Sequence, residues 1–179
     1  RDLDIFMLPL AGVVEHRDSL GNLAWVRPGQ VQRMAAGSGI RHSQTNASRL
    51  ALDHHLQIWQ TLRLAGATPT VEARDFDLFG RHGEWCPVIS PDGRDGSFVF
   101  DDAFMATTGL AEGEAATRRP REGSMVYLHT IDGNAVVRVG KDGQEFRCGA
   151  GDALTIHRAD TEVLRFESQG PAARLLIFE

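Results

Sequence analysis

Cysteine is scarce in this chain. Cys86 and Cys148 are the two present among 179 residues, too few for a disulfide framework and wrongly placed for a zinc knuckle. They read as half-buried thiols of a reducing compartment, which points to the cytoplasm. Long apolar runs are also missing. No stretch approaches the roughly 20 residues that a membrane-spanning helix requires, and the first residues carry no leader pattern, so no membrane partner is expected. Basic clusters are missing too. With 19 Lys and Arg against 24 Asp and Glu, and a formal net charge of −5, nothing could supply the phosphate contacts of a direct nucleic-acid partner. Helical periodicity is the last absence, since no amphipathic segment exceeds a turn or two. The chain opens at Arg1-Asp2-Leu3-Asp4-Ile5 without an initiator methionine and runs straight into an apolar strand. It is expected to begin inside a domain.

What is present is short apolar segments punctuated by glycine turns, with 42% hydrophobic residues, enough for a real core. The stretch Pro28–Asn46, PGQVQRMAAGSGIRHSQTN, organises the first half. Pro28-Gly29 is a turn signal, Gln30–Met34 reads as a strand, and Ala35–Gly39 as a small-residue turn. Ile40–Gln44 reads as the strand leaving it. Side chains alternate along a strand, so His42 and Gln44 share a face while Arg41 and Ser43 point the other way. One imidazole and one amide oxygen on a common face are candidate metal or ligand donors. A hydrogen-bonded core histidine is the plainer reading of His42 alone.

Elsewhere, residues 5–16 read as an extended segment at an edge or bulge because of Pro9 and Gly12. Asp18–Asn22 reads as a hairpin turn with Glu15, His16 and Asp18 close to it; His16 and Asp18 share a face and make an acid/base pair conceivable, but solvated turn residues are the plainer reading. Leu50–Thr61 alternates: Leu50, Leu52, His54, Leu56 and Ile58 form the apolar face, and Asp53, His55, Gln57 and Trp59 the other, so His54 is expected to point into the core. Ala111–Arg121 reads as loop. Asp132-Gly133-Asn134 and Lys141-Asp142-Gly143 read as hairpin turns among strands Ser124–Ile131, Ala135–Val139, Gln144–Arg147, Ala153–His157, Glu162–Glu167 and Arg174–Phe178.

A weak repeat relates the halves. Gly12 and Gly29 flank one hairpin, Gly133 and Gly151 another, and both second glycines open a short strand. The pattern predicts two stacked jelly-roll β-barrels, with lobes over 1–65 and 84–179 joined by a connection at 66–83. Thirteen residues after Gly29 lies His42, whereas thirteen after Gly151 lies Leu164, and neither His129 nor His157 substitutes at that spacing. The chemistry is therefore expected in the first lobe. Two other chemistries are set aside. His42 and Ser43 point to opposite faces and form no dyad, and Gly37-Ser38-Gly39 is followed by no helix that could hold a phosphate.

Several motifs together, RDLDI, GVVEHRDSLGN, PGQVQRMAAGSGIRHS, LQIW at 56–59, SPDGRDGS and GAGDALTI, resemble the pirin-like bicupin family, in particular its bacterial members described as quercetin 2,3-dioxygenases. The resemblance covers nearly the whole chain and implies an all-β bicupin. It implies a divalent metal, most often iron, in the N-terminal cupin, held by a His-x-His pair, a further His and a Glu. His42 matches that further histidine. The pair would lie just before Arg1, and the glutamate's place is taken by Gln44, so metal: His42, Gln44 is the implied set, with loss of the anionic donor. Asp4 stands where the family commonly has Glu. Two functions follow from the resemblance. One is a metal-dependent dioxygenase acting on a small aromatic or flavonol-like substrate. The other is a metal-deficient binding or regulatory protein with a protein partner.

Overall fold

Asp4 through Leu10 are buried without a break, the pattern of a strand with a neighbour on each side. In the computed structural model, which describes residues 2–61, 66–140, 142–157 and 163–179, this strand is β1 (Leu3–Ala11). The chain divides into two compact units, Arg1–Phe76 and Asp77–Glu179. The first contains β1, β2 (Val14–Asp18), β3 (Leu23–Val26), β4 (Gln30–Ala35), β5 (His42–Asn46), β6 (His54–Thr61) and β7 (Thr70–Asp75). They form a four-stranded sheet in the order β6-β1-β4-β7 and a three-stranded sheet β3-β2-β5. β1 is thus a central strand, not an edge. Its bulge falls between Pro9 and Ala11, where proline cannot donate to the ladder.

Cross-strand partners share a face. Met7 lies opposite Gln57 on β6 and Gln32 on β4, and Ile5 opposite Trp59 and Met34. Met7 packs with Val14 and Val26 of the other sheet, so this face is the interior of the unit. On the opposite face the buried carboxylate of Asp4 takes an ion pair from Arg33 at 2.8 Å. Residues 70–75, expected within the connection, pair with β4 over its full length. The alternation at 50–61 is misleading at its start. Leu50 and Leu52 are exposed and precede β6, and His54 at the strand's first position is exposed too, not a core imidazole.

The second unit contains β8 (Cys86–Ser90), β9 (Phe98–Val99), β10 (Met105–Ala111), β11 (Ala115–Arg118), β12 (Val126–Val139), β13 (Gln144–Gly149), β14 (Ala153–Ile156) and β15 (Leu164–Phe178). The strand order is β13-β12-β15-β10-β8-β9, with β11 on β15 and β14 on β12. A 3-10 turn at Arg94–Gly96 is the one helical element among the described residues, as the missing helical periodicity requires. Asp132-Gly133-Asn134 is not a hairpin. β12 runs through it, with register shifts against β15 between Thr130 and Asp132 and between Gly133 and Ala135. Gly133 sits at φ +74, and a Cβ there would lie 2.1 Å from the Ala172 carbonyl oxygen. The glycine therefore serves a bulge and a close backbone approach. Residues expected as loop at 115–118 form β11, and β15 replaces two expected strands with one. Lys141 and residues 158–162, in the expected second Asp-Gly turn and at the start of the 162–167 strand, lie outside the described residues; the flanking Val139 and Gln144 do pair across the hairpin.

The core of this unit is built around Phe166, fully buried and edge-to-face with Trp85 at 5.3 Å. Its last strand is clamped by Arg118, which pairs with Glu179 at 2.6 Å while its guanidinium lies 3.7 Å over Phe104. Cys86 and Cys148 are free and buried. Burial raises both thiol pKa values, with Asp152 adding to the rise at Cys148.

Candidate functional site

The interior face of the first unit gathers the polar groups. β2 and β5 pair so that His16 lies opposite Gln44 and Asp18 opposite His42, which places all four on one face. His42 and Gln44 share that face as their spacing predicts. His42 is exposed and Gln44 half-buried, and the His42 ring stacks on His16 at 5.7 Å with 17° between planes.

His16 and Asp18 differ from expectation. Their side chains are fully buried and joined, His16 Nε2 to Asp18 Oδ2, at 3.0 Å. An ionised carboxylate only accepts, so Nε2 is the donor of this bond and Nδ1 lies on the other side of the ring. That Nδ1 is buried without a hydrogen-bond partner. The sequence signal was the i, i+2 spacing of His16 and Asp18. The polar residues around the turn hid it, because a second sheet covers this face and a single strand cannot reveal that.

Asp18 also closes its turn. Burial would push its pKa up, but hydrogen bonds from the Asn22 side chain, the His16 ring and the backbone N–H groups of Asn22 and Leu20 outweigh it and hold the carboxyl at about 2, against an ordinary 3.8. The folded value is the lower one, so the stabilisation is complete above the ordinary range and is lost as pH falls through about 2. Asp18→Asn should therefore flatten the acid limb of the stability curve and cost about 1 kcal/mol near neutrality after solvent screening. Urea unfolding at a series of pH values checks this; an unchanged acid limb contradicts it.

The pKa of His42 is lowered by burial of the ring and by its neighbour His16, with Asp18 opposing. The imidazole is therefore neutral near pH 7 and keeps a lone pair to offer. A shallow, open surface depression adjoins it, lined by Arg17, Asp18, Ser19, Arg41, His42 and Ser43.

Gln44 reaches from its own sheet to the other. Its Nε2 donates to Met7 Sδ at 3.1 Å, and its Oε1 accepts from Gln57 Nε2 at 2.6 Å. Gln57 Oε1 in turn accepts from the indole N–H of Trp59 at 3.0 Å. Gln57 and Trp59 were legible only as the polar face of a strand; their link to Gln44 depends on how the two sheets close. In the second unit, His157 is exposed, and His129 has a buried Nδ1 without a partner.

Two units of mostly antiparallel strands with short glycine turns, one of them carrying a polar interior edge, define the bicupin class. Comparison with known proteins makes it more specific. The family model described as pirin matches residues 1–60, and that described as quercetinase C-terminal cupin domain matches residues 87–179. Quercetin 2,3-dioxygenase of Escherichia coli K12 is 36% identical over 171 residues, covering 93% of this chain and 73% of that protein. The crystal structure of YhhW from Escherichia coli superposes with a TM-score of 0.86 at 31% identity, over 99% of this chain and 71% of that one. A structure of the bacterial pirin YhhW in complex with nickel(II) superposes at 0.84, over 99% of this chain and 72% of that one, with the same 31% identity. This chain belongs to the pirin-like cupin family.

The family implies a divalent metal, and the described residues fit one only in part. His42 offers a neutral imidazole. The Gln44 oxygen is neutral and already accepts a short hydrogen bond. Among the described residues no group of three or more His, Cys, Asp or Glu is placed to hold an ion. These residues alone do not make a metal centre.

Proposed function

We propose that this chain is a quercetin 2,3-dioxygenase-type pirin whose small-molecule site lies on the interior face of the first unit, around His42. The observation that carries the reading is the neutral His42 imidazole, stacked on a buried histidine at the edge of a shallow, open depression. A neutral imidazole in that position offers a single lone pair, the form in which a histidine ligates a divalent metal. The metal this reading requires, iron by the family resemblance, would take His42 as one donor, with the remaining donors from outside the described residues. No helix of the described residues is long and apolar enough to cross a membrane, and free buried thiols accord with a cytoplasmic placement. Oxygen uptake with quercetin, measured on the full-length protein alongside its metal content, tests the proposal. Metal-loaded protein that consumes no oxygen would refute it.

A second reading is favoured by Gln44: a metal-deficient binding or regulatory protein that keeps this surface and engages a protein partner. Replacing the expected carboxylate by an amide removes the one anionic donor and spends its oxygen on Gln57. Gln44→Glu separates the two readings. Restoring the charge should raise divalent-metal affinity about tenfold or more, in the range by which ligand and near-ligand changes alter metal sites. Titration with a fluorescent metal indicator reads this directly. An unchanged affinity supports the metal-deficient protein.

A further inference from the structure

The backbone of β2 alternates between its two neighbours. Asp18 N–H donates to the Asn22 carbonyl at 3.2 Å, where the turn to β3 closes. On the other side Ser19 N–H donates to the Arg41 carbonyl at 2.8 Å, and Ala47 N–H to the Val13 carbonyl at 2.9 Å. Even-numbered residues of β2 therefore bond to β3 and odd-numbered ones to β5. Leu23 lies opposite Arg17 and Trp25 opposite Glu15, so the N–H and C=O of both Leu23 and Trp25 point away from β2. β3 is the outer strand of its sheet, and no hydrogen bond among the described residues takes these groups. The free edge ends there. Gly21 N–H is given to the Asp18 carbonyl at 3.1 Å, and Arg27 N–H to Gln30 Oε1 at 3.3 Å.

A row of unpaired backbone groups invites another strand, and proteins usually blunt it with charge, proline or a bulge. Other outer strands of this chain do so. β7 carries Glu72, Arg74 and Asp75, and β13 carries Glu145 and Arg147. β3 reads Leu-Ala-Trp-Val, without charge or proline and without a register shift against β2. Leu23 and Trp25 also hold their side chains on the outer face of the sheet, 43% and 56% exposed.

We infer that β3 is a self-association edge, which pairs antiparallel with β3 of a second copy of this chain about a twofold axis beside Ala24. Self-complementarity is what selects a second copy. With the axis at Ala24, Leu23 faces the partner subunit's Trp25, and Trp25 faces the partner subunit's Leu23. Every free backbone group of both strands is then paired. Both apolar pairs fall on one face, where cross-strand contacts stabilise a sheet. Moving the axis to Leu23 would set Trp25 against Gly21, and moving it to Trp25 would set Leu23 against Arg27; the N–H groups of Gly21 and Arg27 are already taken. A strand of 4 residues buries less than the roughly 1,200 Å² of a stable interface, so the association is weak, half complete at about 10–100 µM. It is independent of the small-molecule reading.

Sedimentation velocity of the full-length protein, from about 5 to about 300 µM, should show monomer converting to dimer. Trp25→Lys should stay monomeric throughout. Leu52→Lys, at a residue 88% exposed and outside β3, should match the wild type. Cysteine crosslinking reads the register. Ala24 meets its own counterpart as a non-hydrogen-bonded pair with Cα atoms about 4.5 Å apart, within disulfide reach. Under mild oxidation Ala24→Cys should give at least about tenfold more disulfide-linked dimer than Leu52→Cys. Adding Trp25→Lys to Ala24→Cys should remove that excess, and the native Cys86 and Cys148 are buried. A wild type that stays monomeric, a dimer that survives Trp25→Lys or is lost equally in Leu52→Lys, or an Ala24→Cys protein that crosslinks no better than Leu52→Cys, overturns the assignment.

Discussion

His42→Ala should bring divalent-metal retention by the purified full-length protein down to background, while His157→Ala should leave it where it was. The contrast follows from where the two rings stand. His42 lies on the interior face, opposite Asp18 and stacked on the buried ring of His16, and its lowered pKa keeps it in the form that can ligate. Removing one imidazole from a site already short of an anionic donor leaves too little to hold an ion. His157 follows the last residue of β14 and is exposed, in the unit whose repeat has Leu164 at the equivalent of position 42. Inductively coupled plasma analysis of the three proteins settles the matter. Equal loss in both variants, or none in His42→Ala, would remove His42 from the site.

Phe166→Ala should cost about 3–5 kcal/mol of stability, the usual range for emptying a buried aromatic position. The ring is fully buried in the middle of the second unit's core, on β15, which pairs with β10, β11 and β12. No backbone shift at one point can close the cavity without disturbing those ladders, which places the expected cost toward the upper end. Trp85 packs edge-to-face on Phe166, so its fluorescence reports the change directly. Denaturant unfolding followed by Trp85 emission should show an earlier midpoint. A shift worth less than about 1 kcal/mol would mean that the surrounding side chains collapse into the space far better than cores usually do.

Much of this architecture is written locally. Period-two alternation puts His42 and Gln44 on one face, and the Asp18–Asn22 turn joins β2 to β3 as its composition indicates. Where local signals failed, a distant strand had intervened. Asp132-Gly133 has the composition of a hairpin, yet β15 runs alongside it, and the glycine's freedom is used for a bulge. Leu50 and Leu52 continue an alternating pattern but lie outside any strand, since hydrophobic spacing cannot say whether a partner strand is there to pair. The site was half legible for the same reason. Two donors on one strand can be counted along the chain. The burial of His16 and the reach of Gln44 to Met7 and Gln57 depend on one sheet folding over another.

The two thiols bear on how such a protein would endure its own chemistry. Oxidants attack the thiolate, and burial keeps Cys86 and Cys148 protonated and out of contact with dissolved peroxide. A protein handling molecular oxygen would thus carry no thiol that stray oxidant could readily convert. Long service under aeration, without crosslinking or sulfinic damage, follows from where those side chains are packed.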